Sequence, residues 1–169
     1  MVAAKPDAGG YREGEVGPVT SVLTIGTFDL LHYGHVDFLN RAAELGAGLT
    51  VGINSDRFAA TFKDRPVMDE DERAYAVRQL GYATEVNDGP GHELIRALRP
   101  AVLAVGSDWA RKDYRAQIHV TQDWLDGRGI TLAFVPYRQW RPISSTEIRR
   151  RLRVAELPCP PPVDSQEIA

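Results

Sequence analysis

Five short apolar runs alternate along this chain with stretches of helical periodicity, and that alternation narrows the possible folds more than any other feature. The runs are Val22–Ile25, Leu49–Ile53, Thr84–Val86, Val102–Val105 and Thr131–Val135. The helices expected among them are Gly34–Leu45, Asp69–Leu80, His92–Leu98, a stretch within Arg115–Leu125, and Ser144–Leu152. Short apolar strands separated by helices pack as a parallel sheet covered on both faces.

The expected fold class is therefore α/β, a single Rossmann-like domain whose parallel sheet carries helices on both faces. A chain of 169 residues supports one such core. Residues 1–18 are rich in Gly, Ala and charge without periodicity and are read as a flexible arm. Residues 154–169 hold Pro158, Pro160, Pro161 and Pro162 and are read as a proline-rich tail, leaving 19–153 as the domain.

Composition closes off several functions. A net charge of −3 gives no global basic field for nucleic acid, so affinity for phosphates must be local. No stretch is long and apolar enough to span a bilayer, and the N-terminus lacks an apolar signal core, so a cytoplasmic protein without a membrane partner is expected. The single cysteine, Cys159, excludes an internal disulfide and a multi-cysteine metal site.

The first strand runs into Gly26-Thr27-Phe28-Asp29-Leu30-Leu31-His32-Tyr33-Gly34-His35 and then into a helix with Val36, Leu39 and Ala43 on one face. A strand, a glycine-bearing turn and a helix N-terminus form an anion site, because unpaired N–H groups and the helix dipole point at the turn. Two of the chain's four histidines stand there, with Gly34 leaving the backbone open to a ligand. In open parallel sheets, ligands bind beyond the C-terminal strand ends, where this turn lies. Gly46-Ala47-Gly48 follows a helix and is read as a C-cap, not a dinucleotide fingerprint. The chain has no G-x-x-x-x-G-K-[ST] motif of a P-loop.

Three further segments carry chemistry. Phe62-Lys63-Asp64-Arg65-Pro66-Val67-Met68 is a basic loop offering Lys63 or Arg65; Asp69 with Glu72 behind it has capping-box spacing. Gly106-Ser107-Asp108-Trp109 follows the fourth strand, pairing a carboxylate that accepts from an exocyclic amine with an indole that stacks. Arg141-Pro142-Ile143-Ser144-Ser145-Thr146-Glu147-Ile148-Arg149 opens the last helix, where Ser144 or Ser145 would cap and Arg149 is spaced to clamp phosphate oxygens.

These motifs, in this order, resemble those of the cytidylyltransferases, the glycerol-3-phosphate enzyme in particular, within the HxGH nucleotidyltransferase superfamily. The resemblance spans roughly Val22 to Leu152. It implies transfer of CMP from CTP, with Mg²⁺, to the phosphate or phosphonate of a small anionic acceptor such as glycerol 3-phosphate or phosphonoformate, with release of pyrophosphate. His32, His35, Lys63 and Arg149 would be catalytic. Gly26, Thr27, Phe28, Gly34, Ser144, Ser145 and Thr146 would bind the nucleotide, with Asp108 and Trp109 beside the cytosine. Asp29, Arg138 and Arg141 would meet the acceptor. No protein metal ligand is implied, since Mg²⁺ binds mainly through substrate phosphates, and a homodimer acting on small molecules is expected.

The segment Arg138-Gln139-Trp140-Arg141-Pro142 departs from the cytidylyltransferase pattern by lacking its glycine. Ile143-Ser144-Ser145-Thr146 is similar to the adenylyltransferases of pyridine-nucleotide synthesis. An ATP-dependent adenylyltransferase and a catalytically silent nucleotide-binding module are the alternatives.

Overall fold

The structure, a computed structural model, describes residues 20–111, 113–136 and 143–154. The N-terminal arm, the proline-rich tail with Cys159, and both Arg138 and Arg141 lie outside the described residues.

Five strands, β1 (Ser21–Gly26), β2 (Gly48–Asn54), β3 (Ala83–Asn87), β4 (Val102–Gly106) and β5 (Thr131–Val135), form one parallel sheet in the order β3-β2-β1-β4-β5. The α/β expectation is met, and every expected strand is present. Side chains alternate across the sheet with the two-residue period of a strand. Val22, Leu49, Val51, Ile53 and Ala104 join one core cluster, while Leu23, Leu103 and Val105 join the other.

Helices α1 (Tyr33–Ala43) and α3 (Glu70–Gln79) cover the first cluster with Phe38, Leu39, Ala42, Ala74 and Val77. Helices α4 (His92–Leu98), α5 (Tyr114–Gln117) and α6 (Gln122–Asp126) cover the second with Ile95, Tyr114, Ile118 and Leu125. The stretch read as one helix within Arg115–Leu125 is thus two. Asp113 and Thr121 each cap a separate short helix there through the side-chain oxygen. A four-residue helix α2 (Asp56–Ala59), capped by Ser55, is too short to register as periodicity. The last helix, α7, is Ser145–Val154. Among the described residues no helix is long and apolar enough to cross a membrane.

Chain order reverses between β1 and β4, the place where such sheets open a ligand crevice. The ladder there is short. β1 pairs with β2 at six positions, but with β4 only at Val22–Val102 and Leu23–Leu103. Toward their C-terminal ends, β1 and β4 part. The loop after β1 and a 3₁₀ turn after β4, Ser107–Arg111, form the two lips of that opening.

Capping at α3 is as expected: Asp69 Oδ1 accepts from the Glu72 amide at 2.9 Å and Glu72 Oε2 from the Asp69 amide at 2.9 Å. The glycine after α1 is used differently from the C-cap expected. The helix ends on a right-handed Glu44, and Gly46 is not among the residues with positive φ. A Cβ at Gly46 would sit 2.1 Å from the Thr20 carbonyl oxygen and 2.7 Å from Val22 Cγ2, so size is the constraint. At Gly48 a Cβ would meet nothing within 4 Å. Gly46→Ala is expected to destabilise the protein by about 1–3 kcal/mol through that clash, with Gly48→Ala within about 0.5 kcal/mol of the parent. Urea denaturation of the two variants measures the contrast, and equal midpoints would remove the steric account.

Candidate active site

The loop after β1 is wound tightly. Phe28 and Leu30 adopt left-handed φ of 54° and 50°, rare for such side chains and a sign that the surroundings hold them. Between them Asp29 turns inward and is 2% exposed. Its carboxylate accepts from the amides of Val67 and Met68, each at 3.1 Å, and from Arg149 Nη2 at 2.5 Å. Burial pushes the Asp29 carboxyl upward, but the two amides and the guanidinium outweigh it and hold it below its ordinary value. Asp29, expected to meet the acceptor, has its carboxylate engaged in the free protein by three protein donors, which ties the loop after β1 to Val67, Met68 and Arg149.

Arg149 is fixed by the same cluster. Nη2 also donates to the Arg65 carbonyl at 3.2 Å, Nη1 lies 3.9 Å from the Asp64 carboxylate, and Nε is buried without a protein partner. Ser145 Oγ donates to the Asp29 carbonyl at 2.6 Å, so this hydroxyl binds the motif loop in the free protein. Ser144 caps α7, its Oγ accepting from the Glu147 amide at 3.1 Å. Thr146 is exposed on the first turn of α7.

His32 and His35 stack with ring centroids 3.8 Å apart and planes 16° from parallel, and Phe28 meets His35 edge-on. Gly34 makes room for this: a Cβ there would lie 3.1 Å from the His32 ring and 3.4 Å from Ile143 Cγ2. Both ring nitrogens of His32 and Nδ1 of His35 are buried with no protein partner, a cost that a ligand would relieve. Burial, then the neighbouring His32 and Lys63 charges, push His35 down to about 3; burial also lowers His32. In the free protein the pair is neutral at neutral pH.

Lys63 follows α2 and is an exposed residue, its Nζ 5.9 Å from the Phe62 ring centre. Partial burial of its ammonium, with Arg73 and Arg149 nearby, draws it down to about 8 against the pull of Asp29. Arg65, the other candidate in this loop, contributes its carbonyl to Arg149 and is itself exposed.

Sequence reasoning overlooked Arg73. It is wholly buried, donating from Nη1 to the Thr27 carbonyl at 2.6 Å, from Nε to the Met68 carbonyl at 3.0 Å, and from Nη2 to Asp56 at 2.6 Å. The available signal was its place four residues before Val77, on the apolar stripe of α3.

The structure thus gathers Gly26 to Asp29, His32, Gly34, His35, Lys63, Ser145 and Arg149 around one buried carboxylate. Asp108 and Trp109 stand on the other lip, in the 3₁₀ turn. Asp108 is exposed; Trp109 is half-buried, edge-on to Tyr114 with centroids 5.2 Å apart. No group of three or more His, Cys, Asp or Glu side chains able to hold a metal occurs among the described residues.

Comparison with known proteins adds a family to this geometry. The cytidylyltransferase-like family model matches residues 23–151. The bifunctional protein HldE of a Nitratiruptor species is 39% identical over 120 residues, covering 65% of this chain and 26% of that protein. HldE of Helicobacter pylori is 38% identical over 97 residues, covering 54% and 21%. The chain thus spans about a quarter of the length of these curated relatives. Among solved structures, the lipopolysaccharide core biosynthesis protein from Thermoplasma volcanium superposes with a TM-score of 0.58 at 25% identity, over 73% of this chain and 99% of that one. Thermotoga maritima TmcAL, bound with alpha-thio ATP, shares the fold at a TM-score of 0.56 and 13% identity, over 81% of this chain and 51% of that one.

The depressed His35 has a consequence for stability. Between its folded value of about 3 and its ordinary 6.5, the unfolded chain binds the proton that the folded chain refuses. Its contribution is therefore complete above pH 6.5 and is lost as pH falls toward 3. Between about pH 7 and pH 4, His35→Gln is expected to lose less unfolding free energy than the parent. Urea titrations across that interval measure the difference, and parallel pH profiles would show that His35 is not held neutral.

Proposed function

The chain belongs to the cytidylyltransferase-like family, and from that premise we propose that it is a nucleotidyltransferase, transferring CMP from CTP to the phosphate or phosphonate of a small anionic acceptor. The observation that carries this reading is the cluster around Asp29. Two stacked imidazoles with unpartnered ring nitrogens, a lysine and an arginine with a free Nε converge there, and together they suit a polyphosphate.

An acceptor oxygen attacks the α-phosphorus, a new P–O bond forms, and the bond to the bridging oxygen of the β-phosphate breaks as pyrophosphate leaves. No protein nucleophile is needed; catalysis is positioning and charge stabilisation. Each neutral imidazole offers one N–H to the phosphate oxygens, and an adjacent polyanion favours its protonated form as charge builds. Lys63 would face the α-phosphate, while Arg149 and the first turn of α7 would hold the β- and γ-groups. Mg²⁺ would neutralise charge on the triphosphate and arrive with it, since Asp29, the buried carboxylate of the cluster, is engaged by three protein donors.

Asp108 at the end of β4 supports cytosine as the base, its carboxylate accepting from the exocyclic amine beside Trp109. Ile143-Ser144-Ser145-Thr146 supports the second reading, adenylyl transfer from ATP. The Thermoplasma neighbour's part in lipopolysaccharide core biosynthesis suggests a phosphorylated sugar among the acceptors, beside glycerol 3-phosphate and phosphonoformate.

A pyrophosphate-release screen of the four nucleoside triphosphates against glycerol 3-phosphate, sugar phosphates and phosphonoformate tests the reading. CTP is expected to give the highest kcat/KM, and Asp108→Ala to discriminate less between CTP and UTP. Preference for ATP would establish the adenylyl reading instead, and binding without turnover a silent module. His32→Ala and His35→Ala are each expected to lose roughly 10²–10³ in kcat with nucleotide affinity largely kept. A variant with near-parent kcat would have no catalytic histidine at that position.

A further inference from the structure

The remaining two histidines of the chain, His92 and His119, also come together, and the reading above gives them no task. We propose that they form an acceptor-recognition pair, donating hydrogen bonds to the oxyanion or hydroxyl groups of the acceptor from the sheet face opposite the His32–His35 cluster. The proposal rests on the nucleotidyl-transfer reading.

Their position follows from the packing at the end of β1. Gly91, immediately before His92, has a left-handed φ of 114° and presses on that strand: a Cβ there would lie 3.0 Å from Ile25 Cδ1 and 3.4 Å from Ile118 Cγ2. Ile25 directly precedes Gly26 and the motif loop, and Ile118 directly precedes His119. Both imidazoles therefore hang on residues packed against the segment of β1 that has left its ladder with β4. They approach it from the face of α4 and α5, while the His32–His35 pair approaches from that of α1. In-line transfer requires the acceptor and the departing pyrophosphate on opposite sides of the α-phosphorus. With the β- and γ-groups at Arg149 and the first turn of α7, in-line geometry assigns the acceptor to the opposite side of the α-phosphorus, and the proposal gives that side to the second pair.

Neither imidazole is accounted for by the fold. Nδ1 of His92 is buried without a protein partner, and Nε2 lies 4.0 Å from the Glu93 carboxylate, beyond hydrogen-bonding distance. The rings are within 13° of parallel but their centroids are 6.5 Å apart, against 3.8 Å for the first pair, so they are not closely stacked on each other. His119 is exposed and holds a left-handed φ of 56° where α5 ends, with its own amide donating to the Ala116 carbonyl and the Val120 amide to that of Arg115. That helix-ending arrangement ordinarily takes glycine. Keeping an imidazole there costs stability, which a binding role would offset.

The test uses the full chain with the best nucleotide and acceptor from the pyrophosphate screen. His92→Ala and His119→Gly are each expected to raise the acceptor KM roughly tenfold or more, the usual effect of losing a hydrogen bond to a charged group, while the nucleotide KM holds. His92→Asn, which returns an N–H donor near Nδ1, should recover part of the loss. His119→Gly should also raise Tm by relieving the strained φ, so misfolding cannot explain its weaker acceptor binding. In the parent, the ring proton signals of His92 and His119 should shift as the acceptor is titrated in. If the parent turns over but both variants keep its acceptor KM, the pair is structural and the inference falls alone. If the parent turns over with no acceptor of the panel, the nucleotidyl reading and this inference fall together.

Discussion

A single buried carboxylate holds the candidate site together. Asp29 is carried by a loop with two left-handed residues and has no solvent to stabilise its charge, so it must be met by donors. It finds them in two other parts of the chain: the amides of Val67 and Met68 before α3, and the guanidinium of Arg149 on α7. Its own carbonyl takes the Ser145 hydroxyl. Three segments distant in sequence are thus brought to one point, and each carries a cationic or phosphate-seeking group there.

Arg73 makes the complementary bracket from below. Its guanidinium gathers the carbonyls of Thr27 and Met68 with the Asp56 carboxylate, joining the same two loops through acceptors where Asp29 joins them through donors. Opposite charges therefore clamp the loop after β1 to the loop before α3 at two points. The cluster is preorganised in the free protein, and the orphaned imidazole nitrogens and Arg149 Nε are its unmet demand. A site with its donors already aimed avoids reorganising them as charge develops, which is the main economy in electrostatic catalysis.

The sheet was legible in the sequence because its strands are apolar runs broken by turns, and five such runs separated by helices admit few arrangements. The Asp69–Glu72 cap was legible because capping chemistry is local. What escaped was set by tertiary contact. Gly46 looked like a helix terminator, yet its lack of a side chain answers the approach of the Thr20 carbonyl. Asp29 looked free to meet a ligand because nothing in its neighbourhood in sequence announces amides 38 and 39 residues away. Arg73, directly after the acidic capping residues, drew no reading at all; only the fold reveals three acceptors converging on it. Ser144 was separable from Ser145 only by seeing which hydroxyl faces its own helix and which faces Asp29.

The short ladder between β1 and β4 has a mechanical consequence. Six rungs tie β1 to β2 and five tie β4 to β5, but two join the central strands, at the end remote from the site. Across that seam, residues 24–26 and 104–106 have no rung to break, so it is where the two half-sheets part most easily in local opening, and where amide exchange should report it. A ligand touching both the loop after β1 and the turn after β4 would act as a cross-brace over the seam. Part of its binding free energy would then appear as cohesion between the half-sheets, making occupancy of the site and unity of the fold two readings of one equilibrium.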